Sequence, residues 1–273
     1  MRVMQKLSAI VTCFNEEALI GECLASLQFA DEIIVVDSFS TDRTVEIARP
    51  LATRLVQHEY VNPARQKNWI IPQAAHEWVL ILDADERVPA ELRDEIHALL
   101  EKPGFDGYWI RRRNFFWGRE IKHGTWKTDR VFRLFKRDKG RYQNKEVHEE
   151  IEVAFPVGWC RQRLLHYSYR SLDDFLRKVS RYSNWGAKDA RRKGLHASGW
   201  RIFGHSAGHF LKSYVLKQGF RDGVAGLVIA FMEGLLRLLQ IRQADGNAAR
   251  ATAVLTRHAV LFVLLPDRPR QFQ

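Results

Sequence analysis

A chain of 273 residues is long enough for one large α/β domain, alone or with a helical appendage, and for a core that needs no disulfide or metal to hold it. Its 46% hydrophobic and 27% charged residues exclude disordered, collagen-like and coiled-coil classes, and its net charge of +11 implies an acidic partner: nucleic acid, an anionic membrane surface or a phosphorylated substrate. Cys13, Cys23 and Cys160 are odd in number and form no C-x-x-C pair, which argues against a disulfide framework or a zinc knuckle and fits a reducing compartment.

At the amino terminus Arg2 and Lys6 lead into only a brief apolar run with no small-residue cleavage site, so no signal peptide is expected. Residues 7–12 are a compact run of β-formers, and Asn15 stands where it would cap a helix over 18–27. The pattern repeats: a buried-type strand over 31–37 ends on Asp37, a polar loop follows, and a helix begins at 44–48. A strand over 54–57, a helix over 63–75, a strand over 77–82 and a helix over 90–100 complete an alternation that predicts a parallel sheet. Residues 107–153, rich in arginine and aromatics, read as strands and long loops. From Leu172 onward the chain reads as helical and basic, with Gly219, Gly223 and Gly226 punctuating two amphipathic stretches. The strongest apolar stretch, 224–241, contains Glu233 and Arg237, and 259–265 is too short to span a bilayer, so peripheral contact is expected rather than a span.

In open α/β sheets ligands bind beyond the carboxyl ends of the strands, where Asn15-Glu16-Glu17, the 37–42 segment and Asp83-Ala84-Asp85 fall. Asp83 and Asp85, one residue apart after a buried strand, would in extended geometry point to the same side and share one hard cation, Mg2+ or Mn2+. Bridged to a diphosphate, such a cation neutralises the charge that builds on a leaving group. The plain alternative is a pair of helix-capping acids before Pro89 and Ala90. For Asn15, Glu16 and Glu17 the alternative is a capped helix terminus.

The runs Ser8-Ala9-Ile10-Val11-Thr12-Cys13-Phe14-Asn15-Glu16-Glu17, Ile34-Val35-Val36-Asp37-Ser38-Phe39-Ser40-Thr41-Asp42-Arg43-Thr44 and Leu80-Ile81-Leu82-Asp83-Ala84-Asp85-Glu86 together resemble glycosyltransferase family 2. That resemblance implies a GT-A fold: a Rossmann-like, mostly parallel sheet with flanking helices, here followed by a helical carboxyl-terminal region. It further implies a UDP-sugar donor, with Asp37 on the uracil or ribose, Thr12, Asn15 and Glu16 lining the nucleoside pocket, and Asp83-Ala84-Asp85 as the metal-binding D-x-D. Arg65 and Lys67 lie where the family often places a basic residue near the donor, although a solvated helix face would look the same. The implied layout is a catalytic domain over 1–168, its nucleotide-sugar half 1–105 and acceptor half 106–168, then a helical, basic region over 169–273.

Further along, Trp117-Gly118, His123-Gly124-Thr125-Trp126, Arg133-Leu134-Phe135-Lys136-Arg137, Val147-His148-Glu149-Glu150 and His166-Tyr167-Ser168-Tyr169 are similar to bacterial lipopolysaccharide-core enzymes that add glucose to the first heptose. This implies a lipid-linked glycan acceptor and a cytoplasmic, peripheral position on the inner face of the bacterial inner membrane. Inversion needs a base for the acceptor hydroxyl. The family's usual acidic pair is not obvious here, and Glu149 is the candidate, with His148 as orienting group or metal ligand and His166 competing for the ligand role. The Q-x-x-R-W motif of processive members is missing, so a single transfer is expected.

Arginines 111–113 and the 133–137 cluster suit phosphorylated sugar or lipid, or equally a solvated basic surface. Aromatic and basic residues over 200–221 suit helices lying on an anionic bilayer, or equally a helical lid. A nucleotidyltransferase would carry a glycine- and basic-rich loop after the first strand, and Cys13-Phe14-Asn15-Glu16-Glu17 has none. A nucleic-acid-binding module would explain arginine interleaved with aromatics at 108–137, but no nucleic acid partner is expected.

Overall fold

The structure, a computed structural model, describes residues 5–143, 151–152, 155–169 and 199–244. It divides into two compact units, Met1–Glu120 with Trp126–Ser168, and Ile121–Thr125 with Tyr169–Gln273. The short excursion Ile121–Thr125, placed by the sequence reading in the acceptor half, thus belongs with the helical unit.

In the first unit, β1 (Leu7–Cys13), β2 (Glu32–Asp37), β3 (Arg54–Gln57) and β4 (Trp78–Asp83) run parallel in the order β3-β2-β1-β4. β1, β2 and β4, covered on both faces, are apolar for most of their length, which makes them visible in the sequence, whereas β3 is a partly exposed edge strand. Helices α1 (Ile20–Ala25), α2 (Thr44–Ala48) and α3 (Pro63–Ile70) connect them. Past β4 the chain makes β5 (Glu86–Arg87), α4 (Ala90–Glu101), β6 (Gly107–Phe116), β7 (Arg119–Glu120), β8 (Arg130–Lys136), β9 (Arg141–Tyr142), β10 (Ile151–Glu152) and β11 (Gly158–Tyr169). The sheet continues β4-β8-β6-β11-β5 with β7 on β6, and β8 runs antiparallel to both β4 and β6. The sheet is therefore mixed: parallel through four strands, with antiparallel pairing beyond.

Side chains alternate between two apolar layers, as the period of two requires. Ala9, Val11, Ile33, Val35, Leu80 and Leu82 pack on one side with Leu24, Leu92 and Ile96. Ile10, Ile34, Val36, Val79 and Ile81 pack on the other with Ala64, Ile70, Phe132 and Phe135. All three cysteines are free and buried, and burial pushes the Cys160 thiol up to about 12.

The second unit contains α5 (Gly199–Leu211), a π-helical turn Lys212–Leu216, a 3-10 turn Gly219–Asp222 and α6 (Gly223–Ala244). The glycines have a steric reason: Gly223 has φ +63°, and a Cβ on Gly226 would collide with the carbonyl oxygen of Gly219. The excursion is pinned at both ends, by Asp222 accepting from the His123 amide at 2.8 Å and by Thr125 donating to Glu233. Among the described residues no helix is long and apolar enough to cross a membrane.

Candidate active site

β4 delivers Asp83 at its carboxyl end, and the chain then turns at once. Ala84 and Asp85 form a tight turn before β5, closed by the Glu86 carboxylate accepting from the Asp83 amide at 2.9 Å. The two aspartates are thus not in the extended geometry expected from their spacing, and each meets its own surroundings. The Asp83 carboxylate, 36% exposed, pairs with Lys67 Nζ at 3.1 Å, with Arg133, and with Arg112 at 3.6 Å. Burial opposes its charge, but Arg133, Lys67 and Arg112 prevail and hold the carboxyl well below the usual carboxylate range. Glu86 is fully buried and pairs with both Arg112 and Arg133.

The local fold explains these cations. Asn62 caps α3 by accepting from the Arg65 amide at 2.8 Å, leaving Arg65 on the solvent face while Lys67, 1% exposed, turns inward beneath the Tyr142 ring. Of the two basic residues the sequence could not separate, Lys67 is the one at the site. Between β6 and β8 the register shifts, pairing Tyr108 with Leu134 and Trp109 with Phe132. Arg133 is the extra residue of that bulge, a feature that re-aims a side chain, and it points at Asp83 and Glu86.

Asp85 meets His166. β5 pairs antiparallel with β11, His166 opposite Glu86, and the Tyr167 amide donates to the Asp85 carbonyl at 2.8 Å, so the backbone fixes this neighbourhood. His166 Nε2 lies 3.6 Å from Asp85 Oδ1. Asn114 donates through Nδ2 to the Trp126 carbonyl and to Asp129, which orients its amide oxygen toward His166 Nδ1 at 2.6 Å. Nδ1 therefore carries the proton and Nε2 offers its lone pair. Ser168 Oγ completes the setting, 3.0 Å from Nδ1 and 3.3 Å from Nε2. Burial and the Arg112 charge push the imidazole below its ordinary value, against the pull of Asp85 and Glu86, so it is uncharged at neutral pH.

A carboxylate oxygen facing an unprotonated imidazole nitrogen, the imidazole oriented by an amide on its far nitrogen, is a donor set suited to a divalent cation such as Mn2+. Asp85 and His166 fit a metal on that ground. Asp83 does not in this arrangement, because cations already engage both its oxygens. Among the described residues no group of three or more His, Cys, Asp or Glu is gathered as a metal centre.

At the other carboxyl ends the loops after β1 and β2 are clasped together. Asn15, at φ 54°, accepts from the Thr41 amide at 2.8 Å and donates through its own amide to Ser40 Oγ at 2.8 Å. The Glu16 amide donates to Thr44 Oγ1 at 2.7 Å, and Glu17 accepts from the Arg43 amide at 3.1 Å. Asn15 is thus no helix cap: α1 begins at Ile20 behind Leu19, with no side-chain cap. Asp37 is buried and accepts from the Ser40 amide and Gln57, each at 3.0 Å, and from the Ser40 hydroxyl. Cys13 Sγ lies 3.8 Å from the same carboxylate. Thr12, half-buried, lies in register with Val36 on one side and Asp83 on the other, so it spans the two ends.

Of the remaining expected residues, Ala84 is buried in the turn, and His148 and Glu149 lie outside the described residues. The sequence pattern does not mark Glu86 or Asn114, and Arg112 and Arg133, which suit phosphate or a basic surface there, also pair with Asp83. These residues come together through antiparallel pairing of distant strands, which no local pattern announces.

Such a sheet, with an acidic turn at the end of its last parallel strand, is an α/β sheet of the GT-A architecture. The Glycosyl transferase family 2 profile matches residues 8–162, and the chain belongs to that family of glycosyltransferases. The lipopolysaccharide core biosynthesis glycosyltransferase LpsC of Rhizobium meliloti is 31% identical over 82% of this chain and 86% of its own length. An uncharacterized glycosyltransferase of Rickettsia conorii is 26% identical over 92% of this chain and 94% of its own length. Among solved structures, TarS 1-349 of S. aureus in complex with UDP-GlcNAc covers 93% of this chain and 92% of its own, at TM-score 0.49 and 17% identity.

Proposed function

We propose that this chain transfers one sugar, with inversion, from a UDP-sugar to a lipid-linked glycan of the bacterial envelope, with glucose as the sugar and an inner-core heptose of lipopolysaccharide as the acceptor. The observation that carries this reading is the Asp85 and His166 pair, held 3.6 Å apart at the end of the nucleotide-binding half of the sheet. A divalent cation bound there supplies neutralisation of the charge on a departing diphosphate. Lys67, Arg112 and Arg133 add fixed positive charge beside the same turn. Asp37 and Asn15 hold the two loops that shape the nucleoside pocket, and Phe14 and Phe39, exposed in those loops, offer ring faces to a base. Glu149 is the base proposed for the acceptor hydroxyl, with His148 beside it in sequence as orienting group or metal ligand. The name of LpsC supports a lipopolysaccharide acceptor.

A thermal-shift screen of nucleotide sugars with and without Mn2+ tests the donor. UDP-glucose should raise the midpoint in the presence of Mn2+ by several degrees, and GDP-mannose should not; no response to any UDP-sugar contradicts the assignment.

With a lipid-linked acceptor, the proposed site of action is the cytoplasmic face of the inner membrane. Support comes from Leu211, Val215, Leu216, Phe220 and Val224, all exposed within one short segment, Leu216 at 78%, beside Lys212, Lys217 and Arg221. Changing Val215 and Leu216 to glutamate together should abolish co-sedimentation with phosphatidylglycerol vesicles while sparing the fold, because both side chains face solvent. Unchanged co-sedimentation would place the membrane contact elsewhere.

A further inference from the structure

Away from the acidic turn, β6 and β8 carry a second arrangement of charge. Arg111 and Arg130 are direct cross-strand partners, and both are exposed. Like charges placed opposite one another repel, so the pair costs stability. Both guanidiniums nevertheless lie over one indole, that of Trp159, each 5.4 Å from its centroid, and Arg130 lies 5.5 Å from the centroid of Trp109 as well. The two indoles stack on each other at 5.9 Å and 25°. Stacking on a ring holds a guanidinium plane in place and leaves its N–H edge free to bond.

The neighbouring arginines are matched by acids. Arg112 pairs with Glu86 and with Asp129, Arg113 with Glu120, and Arg133 with Asp83 and Glu86. Arg111 and Arg130 have no carboxylate partner among the described residues. Two fixed guanidiniums with no acid between them match an anion with several oxygens. Trp159, 44% exposed, adds a ring face of the kind that packs against the C–H face of a sugar.

We propose that Arg111, Arg130 and Trp159 form a binding site for an anionic saccharide, one that carries a phosphate or a carboxylate. Its role as an anchor for the acceptor rests on the function proposed above; its affinity for an anionic saccharide does not. The site commits to sugar rather than to nucleic acid because its ring platform is a single stacked pair flanked by charge, not a succession of ring faces along a groove.

Calorimetric titration of the whole chain tests this without any need for turnover. The probes are deacylated, phosphorylated lipopolysaccharide-core oligosaccharide, the same oligosaccharide after phosphatase treatment, neutral maltohexaose, and oligouridylate. The wild type should bind the phosphorylated oligosaccharide, and the Arg111→Gln/Arg130→Gln variant should bind it about tenfold or more weakly. Arg113→Gln, on the same strand, should bind as the wild type does. Loss of binding on dephosphorylation identifies phosphate as the anion, and retention identifies the carboxylates; either supports the site. Equal binding by the double variant, equal loss in Arg113→Gln, equal binding of maltohexaose, or tighter binding of oligouridylate overturns it.

Discussion

Asp85→Asn is expected to lower the rate of sugar transfer on the order of 100- to 1,000-fold, because it removes the carboxylate charge that faces His166 Nε2. The fold should survive, since the turn is held by backbone and by Glu86: the Tyr167 amide on the Asp85 carbonyl and the Asp83 amide on the Glu86 carboxylate. A steady-state assay with UDP-glucose, run beside a thermal melt, separates the two effects. A fall in kcat at an unchanged melting midpoint is the expected pair of results. A variant that kept most of its rate would remove Asp85 from the site.

Glu86→Gln should act the other way, on stability first. Glu86 is fully buried and is the shared counter-ion of Arg112 and Arg133, which are themselves buried or nearly so. Withdrawing its charge leaves two guanidiniums in a closed setting, with Asp83 and Asp129 still beside them. Breaking a buried pair by removing one partner costs about 3–5 kcal/mol, which for a chain of this size is a melting point lower by on the order of 10 °C. Differential scanning calorimetry checks it. An unchanged transition would show that the arginines find compensation elsewhere and that Glu86 does not organise the turn.

Much of the first unit could be read in advance because parallel strands covered on both faces are apolar along their whole length. The strand at 54–57 and the helix at 44–48 lie where the pattern puts them. Two local readings failed for a common reason. Asn15 was assigned to a helix end, yet its side chain clasps the loop after β2, a partner 26 residues away. The spacing of Asp83 and Asp85 suggested extended backbone, yet the chain turns at Ala84 and Asp85, where the Glu86 carboxylate accepts from the Asp83 amide. In both cases a side-chain hydrogen bond, not propensity, decides the backbone.

The cation cluster was illegible for a different reason. Arg112 and Arg133 reach Asp83 only because β6, β8 and β4 pair antiparallel and a bulge turns Arg133 inward. Asn114 matters because its amide oxygen accepts the Nδ1 hydrogen bond and leaves Nε2 of His166 unprotonated, which requires the whole network to be in view. The sequence treats Arg65 and Lys67 alike, and only the fold of α3 shows that Arg65 faces solvent while Lys67 faces Asp83.

Under the proposed function Asp85 and His166 hold a divalent cation that serves a UDP-sugar. Calorimetric titration of UDP into the wild type with and without Mn2+, repeated for Asp85→Asn and His166→Ala, tests it most directly. Mn2+ should tighten UDP binding in the wild type and lose that effect in both variants. Equal affinity with and without Mn2+ in the wild type, or an undiminished Mn2+ effect in both variants, would contradict it.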